Sequence, residues 1–382
     1  MQRIALLKSG VRQCGGLEKY TLRLARAFSS AGHRVSLLTT DCEPHVIDTN
    51  GFEVVCFGAK PRLSLHHLLR FDADCRKCID ANDFEIVFGM DRNFCLQTHY
   101  RAGNGVHAAY LARRRAFSSF YKRLSFDLNP LHKVLLAMEK ATFESPQLKV
   151  LFTNSNMVRQ EVLEHYRVEP QKVVVVHNGV EWQEFQTPFD EGLSMRSELS
   201  RQLGLKTDCF RFLFIGNDYK RKGLDLVLQA LALLPNRDVE LAVVGKDRNI
   251  EGYMHKAQAL GLGSRVRFFG PVREIKTFYS ISDALIVASM YDPFANVTVE
   301  ALAMGVQVIS SSANGGSEVL TRDELGSVFQ DLHDPEELVS CLRRAIERPK
   351  TAIRAEQIRA QVADFDFSHK LGEIVRAVSG GQ

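Results

Sequence analysis

Short apolar, β-branched runs alternate with stretches whose apolar positions recur every three or four residues, almost throughout the 382-residue chain. The alternation predicts parallel strands joined by crossover helices. In the first half the strands read as Arg3–Leu7, Arg34–Thr39, Glu53–Phe57, Glu85–Phe88, Val150–Thr153 and Lys172–His177. A first helix over about Leu17–Ala31 carries Leu17, Tyr20, Leu24 and Phe28 on one face and stops at Gly32. After a polar stretch, Gln186–Asp208, a second series follows: Phe210–Ile215, Val239–Val244, Val266–Phe269, Ala284–Ala288 and Val306–Ser310. Helices over Leu224–Leu234, Ile275–Ser282 and Val297–Met304 fall between them. The pattern is that of two successive doubly wound α/β domains, joined between Asn178 and Asp208. In such folds ligands bind beyond the carboxyl ends of the strands, so two such domains are expected to face each other across a cleft.

Length and composition agree with two ordinary cores, at 45% hydrophobic and 25% charged residues and without repeats. A formal charge of +4 is too small to argue for a nucleic-acid partner. No apolar run approaches the ~20 residues of a membrane span. The N-terminus enters directly into an apolar strand rather than a signal peptide, which sets the expected location in the cytoplasm. The eight cysteines are scattered, as suits reduced, buried thiols; Cys75 and Cys78 form an isolated CxxC that reads as helix packing rather than a metal or redox site.

Three strand ends carry candidate chemistry. Lys8-Ser9-Gly10-Val11-Arg12-Gln13-Cys14-Gly15-Gly16 leads into the first helix, and backbone N–H groups at such a turn can meet a phosphate or a sugar ring. A plain tight turn reads equally well, and the absence of GxGxxG argues against a nicotinamide cofactor. Gly216-Asn217-Asp218-Tyr219-Lys220-Arg221-Lys222-Gly223 places three cations at a helix N-terminus, against the usual dipole preference. Either an anion offsets them or the loop is simply solvated. Third, Asp292-Pro293-Phe294-Ala295-Asn296-Val297-Thr298-Val299-Glu300 opens a helix, with Asp292 on the loop and Glu300 one turn inside. Carboxylates there suit vicinal hydroxyls beside an anion-binding terminus, though a capped structural helix fits the same residues.

At these residues the chain resembles the retaining glycosyltransferases of family 4, which have the GT-B fold of two Rossmann-like domains. The likeness covers nearly the whole chain: Gly15-Gly16-Leu17-Glu18, Asn178-Gly179-Val180-Glu181 with Phe185 as hinge, Arg221-Lys222-Gly223, the acid pair Asp292 and Glu300, and Gly315-Gly316-Ser317-Glu318. The resemblance implies an N-terminal acceptor domain over 1–180, a nucleotide-sugar domain over 181–362, and a C-terminal helix in 363–382 packing back on the first domain. It implies that Arg221 and Lys222 neutralise the donor diphosphate, Glu300 holds the ribose and Asp292 contacts the hexose. Gly15, Gly16, Asn296 and Val297 complete the expected donor site, and no metal or cofactor beyond the sugar nucleotide is called for. Asp72-Ala73-Asp74 and Asp364-Phe365-Asp366 mimic a metal-binding pair, but neither follows a strand.

Within that family the chain looks most like the enzymes that glucosylate the inner-core heptose of lipopolysaccharide. Tyr100-Arg101-Ala102-Gly103-Asn104-Gly105-Val106-His107 and Met138-Glu139-Lys140-Ala141-Thr142-Phe143-Glu144 are similar to segments they carry. The resemblance implies a UDP-glucose donor and a glycolipid acceptor, with Asn104 and His107 on the acceptor side. His107 is expected to orient donor sugar or acceptor, a packed histidine being the alternative. Two departures stand out: Asp292 where Glu is usual, and Asn104 where Asp is. Between Arg101 and Lys140, basic residues (Arg113, Arg114, Arg115, Lys122, Arg123) interleave with Tyr110, Phe117, Phe120, Tyr121 and Phe126. Such a stretch suits the anionic inner face of a membrane, to which the protein is expected to bind peripherally, or else a solvated helix with a core-facing aromatic stripe. Two rival functions remain, a nucleotide-sugar epimerase of the same fold and a non-catalytic, membrane-associated sugar-binding protein.

Overall fold

The computed structural model describes residues 1–11, 16–41, 51–58, 64–94, 96–116, 126, 128–235 and 238–380. The chain divides into two compact units, Met1–Val176 with Lys370–Gln382, and His177–His369. The sequence placed its boundary four residues later, at 180/181.

The first unit is built on a parallel sheet of seven strands: β1 (Arg3–Leu7), β2 (Arg34–Thr39), β3 (Glu53–Cys56), β4 (Ile86–Gly89), β5 (His99–Ala102), β6 (Val150–Thr153) and β7 (Val173–Val175). Their order, β3-β2-β1-β4-β5-β6-β7, reverses direction between β1 and β4. The helix Gly16–Ser30 buries Tyr20, Leu24 and Phe28 and ends before Gly32, whose φ of +87° is left-handed. Strand β5 is absent from the hydrophobic reading because its residues are His-Tyr-Arg-Ala, yet all four are buried. Aromatic stacking makes that tolerable: the Arg101 guanidinium lies 3.8 Å from the Tyr20 ring centroid, and His99 stacks on Phe88 with an interplanar angle of 5°. In the helix Ser64–Asp80, Cys75 is buried and burial pushes its thiol well above the usual range, an inert packing position.

The second unit has six parallel strands: β8 (Phe210–Ile215), β9 (Val239–Val244), β10 (Val266–Gly270), β11 (Ala284–Val287), β12 (Gln307–Ser311) and β13 (Gly326–Phe329). Here the order is β10-β9-β8-β11-β12-β13, reversing between β8 and β11. Both faces are covered, so the central strands read as continuous apolar runs. Two charges inside those runs pair with each other: Arg211 and Glu240 are in register across β8 and β9, with Nη2 and Oε2 3.1 Å apart. The polar stretch Gln186–Asp208 is not an extended connection. Most of it is helical, in Trp182–Gly192 and Arg196–Gln202, and Phe185, Phe189, Leu199 and Leu203 turn toward the core at helical spacing. Phe185, assigned by resemblance to a hinge, is 6% exposed in that core. The segment after β7 is fixed by Phe365–Phe367: Val180 N–H donates to Phe365 O, and Phe367 N–H to Val180 O, each at 2.9 Å.

Candidate functional site

A doubly wound sheet opens a crevice at its carboxyl edge where the strand order reverses. In the second unit that point lies between β8 and β11, whose following loops carry Arg221-Lys222 and Asp292. Lys222 Nζ donates to Asp292 Oδ2 at 2.5 Å, the two side chains being 15% and 12% exposed. The anion expected opposite the basic loop is thus, for Lys222, a carboxylate of the chain itself. Arg221 stays closer to solvent at 36% exposed, with Nε 3.6 Å from Asp218 Oδ2 and Nη1 donating to Tyr291 O at 3.4 Å.

Hydrogen bonds and left-handed backbone shape the loop that presents these cations. Tyr219, fully buried, donates its hydroxyl to Gly245 O at 2.8 Å, and its N–H goes to Asp247 Oδ2 at 2.7 Å. Asp218 takes a left-handed φ of 60°, and Gly223 one of 78°, where a side chain would overlap the Ala288 carbonyl at the end of β11. Met290 N–H donates to Arg221 O at 3.0 Å, stitching the two loops together.

The helix Asn296–Ala303 starts beside this pair. Its N-cap, Ala295, offers no side-chain acceptor to the first turn, so the backbone donors there keep their affinity for an anion. Asn296 is exposed and accepts from Asn178 Nδ2 at 2.6 Å, and Val297 is half-buried. Glu300, one turn on, accepts the Tyr279 hydroxyl through Oε2 at 2.8 Å. Burial, then the Glu300 charge, raises the Tyr279 phenol well above its usual value, so Tyr279 remains a donor that fixes the carboxylate's orientation.

Sequence reasoning missed Asn314, which ties this loop to Gly315-Gly316-Ser317-Glu318. Its Oδ1 accepts from Ala295 N–H at 2.9 Å and Gly316 N–H at 3.0 Å, while Nδ2 donates to Thr298 Oγ1 and Ser310 Oγ at 3.2 and 3.0 Å. Fully buried, it satisfies all four of its bonds. The only signal in the sequence was its place next to the glycine pair.

The first unit repeats the motif of a lysine and an aspartate at the reversal point. Lys8, after β1, lies 3.0 Å from Asp91 Oδ2, after β4, and Ser9 gives the same oxygen its N–H and its hydroxyl at 2.8 and 2.7 Å. Burial opposes ionisation of Asp91, but Lys8 and the Ser9 bonds outweigh it and lower its pKa. The start of the glycine loop is therefore anchored on an internal carboxylate. Gly16 is the first residue of its helix, and Gly15 lies outside the described residues. Asn104 is exposed in the turn after β5, and His107 opens the helix His107–Ala116. The Gly103 Cα faces Leu17 of the first helix: a Cβ there would be 3.2 Å from Leu17 Cδ1. The turn bearing Asn104 thus lies beside the start of the first helix within one unit.

One member of each aspartate pair serves local structure. Asp72 accepts Phe94 N–H at 2.8 Å, and Asp366 accepts Ser368 N–H at 2.8 Å. Among the described residues no cluster of three or more His, Cys, Asp or Glu side chains is placed to hold a metal ion. Nor does any described helix have the length and apolarity to cross a membrane.

Two doubly wound, Rossmann-like parallel-sheet domains in one chain are the architecture of the GT-B class of fold. Residues 14–184 match the model of Glycosyltransferase Family 4, and residues 195–361 that of Glycosyl transferases group 1. The chain belongs to this family of glycosyltransferases. It is 24% identical over 372 residues to lipopolysaccharide glucosyltransferase WaaG of Escherichia coli K12, covering 96% of each chain. It is 25% identical over 420 residues to D-inositol 3-phosphate glycosyltransferase 1 of Catenulispora acidiphila, covering 99% of this chain and 94% of the other. Its fold superposes on the crystal structure of WaaG, a glycosyltransferase involved in lipopolysaccharide biosynthesis, with a TM-score of 0.80 at 22% identity, covering 99% and 100% of the chains. On Anabaena Alr3699/HepE in complex with UDP the TM-score is 0.74 at 18% identity, each chain fully covered.

Proposed function

We propose that this glycosyltransferase moves glucose from UDP-glucose to the inner core of lipopolysaccharide or a similar glycolipid, retaining the anomeric configuration and using no metal ion or cofactor. The observation that carries it is the Lys222 and Asp292 pair at the β8/β11 reversal, flanked by Arg221, the open helix terminus at Asn296 and Val297, and Glu300. Fixed cations and backbone donors suit a diphosphate, and a carboxylate held by Tyr279 suits two vicinal ribose hydroxyls. In support, the relative WaaG is a lipopolysaccharide glucosyltransferase, and HepE has been crystallised with UDP-glucose.

In this reading the C1–O bond to the diphosphate breaks as the acceptor oxygen bonds C1 on the same face. The departing phosphate oxygen takes the acceptor proton, and UDP leaves. The protein supplies no nucleophile: Lys222 and Arg221 stabilise the growing negative charge on the phosphate. Asp292 keeps Lys222 aimed while lining the hexose side, and its short side chain pairs with the ammonium directly. Asn104 and His107 are assigned to orienting the sugar or the acceptor.

Incubation with a panel of radiolabelled nucleotide sugars, with and without lipopolysaccharide core acceptors and with excess EDTA, tests this. Transfer is expected from UDP-glucose to the core acceptor, undiminished by EDTA. Free nucleotide released without acceptor indicates the epimerase, and binding without turnover the sugar-binding protein. Loss of activity on chelation, restored by magnesium or manganese, overturns the metal-free mechanism.

The helix His107–Ala116 ends on Arg113, Arg114 and Arg115, and we extend the proposal to peripheral binding at the anionic inner face of the cytoplasmic membrane. Arg114 stacks over Phe126, 4.7 Å from the ring centroid, and Phe126 is buried; Phe117, Phe120, Tyr121, Lys122 and Arg123 lie outside the described residues. Arg113 pairs with Glu161 at 3.5 Å, so its share of membrane attraction is reduced. With ~1 kcal/mol per basic group near such a surface, changing all three arginines to serine is expected to weaken retention on anionic liposomes at low salt more than tenfold. Equal retention of variant and parent supports the solvated helix instead.

A further inference from the structure

The helix Pro130–Phe143 grips the start of the helix His107–Ala116 at two points seven residues apart, roughly two helical turns on one face. At the first, Glu139 accepts His107 N–H through both oxygens at 2.9 Å and Ala108 N–H through Oε2 at 3.3 Å. These are backbone donors that the helix itself leaves unpaired, and a carboxylate there complements the helix dipole. Glu139 is fully buried; Arg92 answers its charge, with Nη2 at 2.8 Å, and the Tyr166 hydroxyl donates at 2.6 Å. Arg92 Nη2 also donates to Gly105 O at 3.2 Å, tying in the turn that carries Asn104. At the second point, His132 Nδ1 lies 3.1 Å from His107 Nε2.

Burial, with Arg92 nearby, lowers His107 to a pKa of about 4, and burial with Arg114 also lowers His132. Both rings are therefore neutral near pH 7, and a neutral imidazole carries one N–H. The role Nε2 takes toward His132 dictates the opposite role for Nδ1 of His107. If Nε2 accepts, Nδ1 carries the proton; if Nε2 donates, Nδ1 is the acceptor.

We infer that His132 and Glu139 are positioning residues for His107, His132 selecting the ring's tautomer and Glu139 anchoring the backbone beneath it. The inference rests on the proposed role of His107 at the reacting sugar or acceptor. It gives a function to the Met138–Glu144 segment, which the donor site does not use. Glu139 also shows that this helix terminus, unlike the one at Asn296, already holds an internal anion.

The test uses the full-length enzyme and four variants, with folding followed by thermal unfolding. His107→Ala measures the value of His107 itself. His132→Ala is expected to lower kcat by ~10- to 10²-fold, the scale of a misplaced catalytic group, with unchanged calorimetric affinity for UDP. His132→Asn, whose amide can replace Nδ1, is expected to recover most of the loss. Glu139→Gln, which keeps an acceptor for the backbone, is expected to lower kcat less than His132→Ala does. ¹⁵N NMR of the imidazoles is expected to show one His107 tautomer in the parent and a mixture in His132→Ala. Parental kcat in His132→Ala, alongside inactive His107→Ala, overturns the inference but leaves the role of His107 standing. Parental kcat in His107→Ala overturns that role and the inference with it. A folded His132→Ala enzyme with an unaltered His107 tautomer also overturns it.

Discussion

Lys222→Ala is expected to lower kcat by ~10²-fold or more, the usual cost of removing one preorganised electrostatic stabiliser. The ammonium sits at the β8/β11 reversal, held by Asp292 at 2.5 Å on a loop pinned by Tyr219. Its charge meets negative charge that grows as the phosphate leaves, and only interactions stronger in the transition state accelerate the chemistry. Donor affinity is therefore expected to fall less than kcat. Glu300→Gln should divide the other way. The ribose hydroxyls do not change during transfer, so calorimetry with UDP is expected to record the loss while kcat at saturating donor is nearly kept. Lys222→Ala also leaves Asp292 without its partner at 12% exposure. The double variant Lys222→Ala/Asp292→Asn separates that effect: it should regain stability over the single variant without regaining kcat. A higher donor KM at unchanged kcat for Lys222→Ala would show that the lysine binds substrate and transition state alike. A collapsed kcat with parental UDP affinity in Glu300→Gln would place that carboxylate at the reacting sugar.

Gly223→Ala is expected to cost the enzyme as much activity as Lys222→Ala, with no charged group removed. A left-handed backbone costs ~1–2 kcal/mol for a residue with a Cβ, and here the added methyl also meets the Ala288 carbonyl. That carbonyl is backbone immediately after β11 and cannot swing aside as a long side chain can. The basic loop must instead lift away, breaking the Met290 N–H bond to Arg221 O and drawing Lys222 from Asp292. A displacement near 1 Å at a catalytic group is worth ~10² in rate. Steady-state kcat/KM with UDP-glucose and urea denaturation give the two readouts, a hundredfold loss and a lower midpoint. An alanine variant with parental activity would show that the close approach of the loop to β11 is dispensable.

Local periodicity is enough to place most of the framework. Strands such as Phe210–Ile215 and Val239–Val244 run between the residues read from the sequence, because both faces are buried and apolar choice persists along them. The first helix is equally legible from the spacing of Tyr20, Leu24 and Phe28. Strand β5 is not, since its burial depends on Arg101 finding Tyr20 and His99 finding Phe88, partners that local spacing cannot supply. The helices over Gln186–Asp208 were hidden similarly, their sparse apolar face being outweighed by polar neighbours.

In the candidate site, residue types were legible and pairings were not. Arg221, Lys222, Asp292, Asn296 and Glu300 stand out because cations, an open helix start and two acids recur at strand ends. Yet the partner of Lys222 lies 70 residues away, and that of Lys8 lies 83. Those contacts exist only because parallel strands β8 and β11, like β1 and β4, are sheet neighbours although distant in sequence. Asn314, Glu139 and His132 were likewise unreadable as site residues, since an isolated polar side chain acquires its role only from the donors and acceptors folding brings to it. The sequence by itself determined most of the strand and helix framework, the family and the kinds of charge at the strand ends. The tertiary structure decided which charges meet, because sheet order sets neighbours and burial turns a nearby charge into an obligatory partner.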